Sequence, residues 1–122
     1  MAREQFQNLT EPMYYILLSL TNAPKHGYEI MQTVSEISND TVKVGAGTLY
    51  ALLTRFESEG IIERVSLPNN DPRRKTYTLT SKGRSELDRE YERLKKSTAA
   101  YDSYTGTVFA LQKPMKGDIS DG

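Results

Sequence analysis

The chain has 122 residues, one domain's worth, of which 37% are hydrophobic and 26% charged, an ordinary balance for a globular protein. Its 16 basic and 16 acidic residues cancel, and it has no cysteine, which excludes a disulfide framework and a thiolate metal site. A single histidine gives no basis for a transition-metal centre. No apolar run approaches the ~20 residues of a membrane span, and Met1-Ala2-Arg3-Glu4-Gln5 has no apolar stretch behind its charges. Neither a signal peptide nor a membrane partner is expected, and a cytoplasmic location is.

In chain order, Thr10 is placed to cap a first helix whose opening turn tolerates Pro12. Met13, Leu17 and Leu20 repeat at helical spacing with Ile16 beside them, and Asn22-Ala23-Pro24 is the expected stop. A second helix is predicted from about Gly27 to Ser38, with Ile30, Val34 and Ile37 on one face and Asn39-Asp40 closing it. After the lead-in Gly45-Ala46-Gly47, the residues Leu49, Leu52, Leu53 and Phe56 fall at i, i+3, i+4 and i+7, the mark of one buried stripe. Gly60 stands where a left-handed cap is expected.

Then the period changes. Ile61 to Leu67 is rich in β-branched residues, and Thr76 to Thr80 alternates, with Tyr77 and Leu79 on one face. Between them, Pro68 to Lys75 reads as a turn carrying Arg73, Arg74 and Lys75. Three helices followed by a hairpin with a basic tip predict an α+β, mostly α, fold: a winged helix-turn-helix over residues 1–80.

A long fourth helix is predicted from Thr80 or Ser81 and assigned to residues 81–112, with 113–122 as a disordered tail. Leu87, Tyr91, Leu94, Thr98, Tyr101, Thr105 and Val108 alternate in steps of four and three, the heptad spacing of a helix-to-helix seam. This predicts a two-fold homodimer with Leu87, Tyr91, Leu94, Tyr101 and Val108 at the interface. Of eight tyrosines, Tyr91, Tyr101 and Tyr104 fall on this helix. They serve either as dimer packing or, closed by Phe6 and Met13, as the wall of an aromatic cavity for a small effector.

The third helix points to function. At 100° per residue its exposed face is Gly47, Ala51, Thr54 and Ser58, flanked by Thr48, Tyr50 and Arg55. Short side chains with hydroxyls and methyl groups suit a helix that enters the major groove of double-stranded DNA. Cations at a hairpin tip suit phosphates or the minor groove. Between Thr41 and Arg84 eight basic residues meet four acidic ones, so a neutral chain carries a locally positive face. The expected DNA-binding set is Tyr28, Lys43, Thr48, Tyr50, Ala51, Thr54, Arg55, Arg73, Arg74 and Lys75. No nucleophile–base pair, phosphate-loop lysine or metal-ligand spacing is present, so no enzyme, catalytic residue or cofactor is expected. Zero net charge leaves one alternative open, a winged-helix module that binds protein instead of DNA.

Several linked motifs resemble the PadR family of bacterial transcriptional regulators. They are His26-Gly27-Tyr28-Glu29-Ile30, the run from Gly47 to Glu57, Glu59-Gly60-Ile61-Ile62, Arg73 to Tyr77, and Leu79 to Gly83. The resemblance spans roughly Pro12 to Leu87, with Ala51 where the family usually has proline and Phe56 where leucine is common. It implies a two-fold dimer on a pseudo-palindromic operator, DNA contacts from the third helix and the wing, repression, and release by a small molecule or another signal. A chain stopping soon after one helix is similar to the short subgroup, which dimerises through that helix and in places binds flat aromatic compounds at the interface. The tryptophan that stacks on such compounds there has no counterpart here.

Overall fold

The computed structural model describes residues 8–68, 71 and 73–106. Its elements run α1 (Glu11–Ser19), β1 (Lys25–His26), α2 (Gly27–Ile37), α3 (Ala46–Ser58), β2 (Ile62–Val65), β3 (Thr76–Leu79) and α4 (Ser81–Thr105). This is the mostly helical α+β winged helix expected from the sequence, with one addition. Lys25 and His26 form a short strand that pairs antiparallel with β3, so the hairpin becomes a three-stranded sheet ordered β1-β3-β2. As the central strand, β3 is covered on both edges, which explains why Thr76 is buried beside Tyr77.

Local chemistry sets the element ends. Thr10 caps α1, its hydroxyl oxygen accepting from the Met13 N–H at 3.4 Å, and Pro12 occupies the first turn. α3 ends in a Schellman turn: the N–H of Ile61 reaches the Phe56 carbonyl (2.9 Å), that of Gly60 reaches Glu57 (3.1 Å), and Gly60 takes φ 76°. α2 closes the same way, through Asp40 to Ser35 (2.8 Å) and Asn39 to Glu36 (3.2 Å), with both turn residues left-handed. Thr80 then joins hairpin to helix. Its hydroxyl proton is shared between the carbonyls of Gly60 and Ile61, while its oxygen accepts the Gly83 N–H (3.0 Å) and so caps α4. The β2 strand is shorter than the β-branched run suggested, leaving Ile61 buried in the turn and Leu67 exposed.

The core is one cluster in which Ile16 and Leu17 of α1, Ile30 and Val34 of α2, and Leu49, Leu53 and Phe56 of α3 meet the sheet through Ile62 and Tyr77. Leu52, expected in the α3 stripe, is only half-buried at its edge. Ile37 departs from expectation and is exposed. The helix stops there and Ser38 turns inward instead, its hydroxyl bonded to the N–H and the carbonyl of Val42 (3.0 and 3.2 Å).

The chain divides into a compact unit through Glu90 and a second unit from Tyr91. The first boundary falls later than the winged helix predicted to end at residue 80, because the opening turns of α4 belong to the core. Gly83, Glu86, Leu87 and Glu90 are its buried residues. This corrects the expectation for Leu87. At 4% exposure it packs inside the subunit and is not part of an open seam. Met13 is likewise a core residue of α1, 5% exposed, and so does not wall an open cavity. From Tyr91 onward Tyr91, Leu94, Tyr101 and Tyr104 are exposed, and Lys95 lies 5.2 Å over the Tyr91 ring. Among the described residues the helix ends at Thr105, and Gly106 takes φ 79°. Phe6, Val108 and the predicted tail lie outside the described residues. No described helix is long and apolar enough to cross a membrane.

Candidate nucleic-acid interface

α3 is held in place by its buried stripe, and the opposite face stands open. Gly47, Thr48, Ala51, Thr54, Arg55 and Ser58 are all exposed. Glu57, on the margin of that face, reaches across to Arg64 of β2 (3.0 Å), tying α3 to the sheet. Lys43 is exposed on the loop before α3.

Beside this face runs a groove of about 640 Å³. Its walls are the start of α2 (His26, Gly27, Tyr28, Glu29 and Gln32), the side chain of Tyr50, and the wing cations Arg73, Arg74 and Lys75. Apart from Lys43, the predicted residues therefore fall into two groups. Thr48, Ala51, Thr54 and Arg55 sit on the helix face. Tyr28, Tyr50, Arg73, Arg74 and Lys75 line the groove. Tyr50 departs from the wheel reading, because its ring leans toward the start of α2 and its hydroxyl packs on the Cα of Gly27. A Cβ at that position would overlap the hydroxyl and sit 2.7 Å from the ring carbon bearing it. The glycine is thus a close-approach residue that lets Tyr50 wall the groove.

His26 lines the groove and ties its parts together. Its Nδ1 accepts the Glu29 N–H (3.4 Å), and its own N–H donates to Glu29 Oε1 (3.0 Å), a reciprocal capping box on α2. Its Nε2 faces Glu29 Oε1 at 3.4 Å and Arg74 Nη1 at 3.1 Å. A histidine three residues before a glutamate at a helix start was the readable signal for this cap. Glu29 and Gln32 were not anticipated as groove residues.

The three wing cations are not equivalent. Arg73 is clamped by Asp71 through Nε to Oδ1 (3.1 Å) and Nη2 to Oδ2 (3.0 Å). Those side-chain bonds, followed by the Arg73 backbone N–H and the charge of Arg74, hold the Asp71 carboxyl below the usual carboxylate range. Arg73 and Asp71 together present little net charge, leaving Arg74 and Lys75 as the effective positive pair. Under the sheet, burial pushes the Tyr77 phenol up, with nearby Arg64 pulling the other way.

An open, short-chained helix beside a cation-rimmed groove fits the class of winged-helix transcription regulators. The chain belongs to the PadR-like family of transcriptional regulators, whose family model matches residues 16–89. It is 34% identical over 84 residues to an uncharacterized protein of Lysinibacillus sphaericus, covering 66% of this chain and 77% of that protein. Its fold is similar to that of a PadR family transcription regulator from Clostridium difficile, with TM-score 0.62 at 22% identity over 75% of this chain and 95% of the other. It is also similar to Bacillus subtilis PadR solved in complex with operator DNA, with TM-score 0.54 at 28% identity, covering 62% of this chain and 43% of that one.

Proposed function

We propose that the protein binds double-stranded DNA sequence-specifically, as a homodimer on a pseudo-palindromic operator, and represses transcription until a small aromatic effector releases it. The observation that carries the DNA reading is the continuity of two surfaces on one compact unit. The exposed face of α3 meets the cation-lined groove at Tyr50, so a duplex lying on the helix face meets positive charge at its edge. The similar Bacillus subtilis PadR, solved in complex with operator DNA, supports the same reading. The exposed row Tyr91, Leu94 and Tyr101 supports a second copy as the partner of α4, since it keeps heptad spacing beyond the core.

Selection of bound duplexes from a random pool tests DNA binding and symmetry together. The expected product is a pseudo-palindrome whose half-sites are centred one turn apart, ~34 Å or about 10 base pairs. Recovery of no enriched sequence would defeat the DNA reading, and an enriched single half-site would defeat the dimer. For release, Tyr101 and Tyr104 are the most open aromatic groups among the described residues, at 63% and 94% exposure. In this tryptophan-free chain, flat aromatic compounds are expected to quench tyrosine fluorescence and to lower operator occupancy over the same concentration range. Quenching without loss of occupancy would leave repression without this mode of release.

A further inference from the structure

Gly47, Ala51, Thr54 and Ser58 form the centre line of the exposed α3 face, about one residue per turn, with Thr48 and Arg55 on one flank and Tyr50 on the other. What this line offers a base edge depends on where its hydroxyl protons go. Thr54 donates to the Tyr50 carbonyl (2.9 Å), and Ser58 donates to the Arg55 carbonyl (2.9 Å). Each oxygen keeps its lone pairs, while its proton is directed at the helix's own backbone. Ala51 offers a methyl group. Gly47 offers no side chain, and no atom within 4 Å occupies the space its Cβ would take. Glycine weakens a helix, and packing among the described residues makes no use of this one.

In the major groove guanine presents two acceptors, N7 and O6. Adenine presents an acceptor and an amino donor, cytosine an amino donor, and thymine an acceptor beside its C5 methyl group. A centre line whose hydroxyl protons are engaged by its own backbone gives guanine the poorest match. It matches methyl groups, which it can cover, and amino groups, whose protons it can accept. Resting on the DNA reading above, we propose that α3 recognises thymine C5-methyl groups in each half-site through the methyl groups of Ala51 and Thr54. Thr54 is the specificity-determining residue, and guanine edges are left to Arg55 on the flank. The groove takes no part in this discrimination.

The test uses the full chain and the duplex recovered by selection, replacing each thymine in turn with deoxyuridine, which removes only the methyl group. At one or two thymines per half-site the affinity falls about fourfold, the worth of one buried methyl-sized group. At the other thymines it is unchanged. Thr54→Ser, which keeps the oxygen and removes the methyl, weakens the parent duplex by a similar factor and becomes indifferent to deoxyuridine at one of those positions. That non-additivity assigns the contact. A thermal midpoint matching the parent protein shows that Thr54→Ser remains folded. If every deoxyuridine duplex binds like the parent duplex, and the parent is still preferred over random DNA, methyl recognition is overturned and the DNA reading stands. If the parent duplex is bound no better than random DNA, the DNA reading itself falls.

Discussion

Replacing Gly83 with alanine is expected to cost the compact unit about 3 kcal/mol, the upper part of the range for overpacking a tight contact. A Cβ there would overlap the Ile61 carbonyl oxygen, lie 3.1 Å from that carbonyl's carbon and press on Leu79 Cδ1 at 2.8 Å. Two of these atoms are backbone, so no rotamer change relieves the overlap. The Ile61 carbonyl also accepts the Thr80 N–H (3.1 Å) and shares the Thr80 hydroxyl proton. Moving it away loosens the cap of α4. Its only routes of relief are to lift α4 or to shift the start of β2, and both open the cluster around Ile61, Ile62 and Leu87. The thermal midpoint should fall by roughly 12–24 °C for a unit of this size. A fall of only a few degrees would mean that α4 does not press on the sheet as described.

Removing Arg74 and Lys75 together is expected to weaken binding to every duplex by a similar factor. Each cation that neutralises a phosphate contributes about 0.9 to the slope of log affinity against log salt. The double Arg74→Ala, Lys75→Ala variant should therefore flatten that slope by about 1.8, roughly a thirtyfold loss at 0.15 M salt. Sequence preference should survive, since these side chains line the groove and not the helix face. The Asp71→Ala, Arg73→Ala pair is the internal comparison. It deletes a bonded anion and cation together and should leave the slope near that of the parent. If this pair flattened the slope as much as the other, the assignment of Arg73 to Asp71 would be wrong. Measurements of anisotropy across a salt series on the selected and a random duplex decide it.

Much of the fold was legible because it is local. The Thr10 cap, the stripe Leu49–Leu53–Phe56 and the left-handed Gly60 are each specified within a few residues. β1 was not legible, since two residues are too few to show alternation and its pairing with Tyr77 and Thr76 lies some fifty positions away. Leu87 misled for a different reason. Heptad spacing records that a helix has an apolar stripe, not whether the stripe meets its own subunit or another copy. On α4 the same stripe begins in the core and continues into the open from Tyr91. Most of the candidate interface was visible through residue type, but the wheel gives only the direction in which a side chain leaves the helix. It could not show that Tyr50 would lean on Gly27, or that Asp71 would take Arg73 out of play.

The capping box has a further consequence for the wing. An imidazole has at most one nitrogen with a lone pair to offer, and two donors face the His26 ring, the Glu29 N–H at Nδ1 and Arg74 Nη1 at Nε2. The ring accepts from only one of them at a time, so the cap of α2 and the wing cation draw on a single lone pair. An oxyanion entering from solvent would serve the guanidinium and leave that lone pair to the helix.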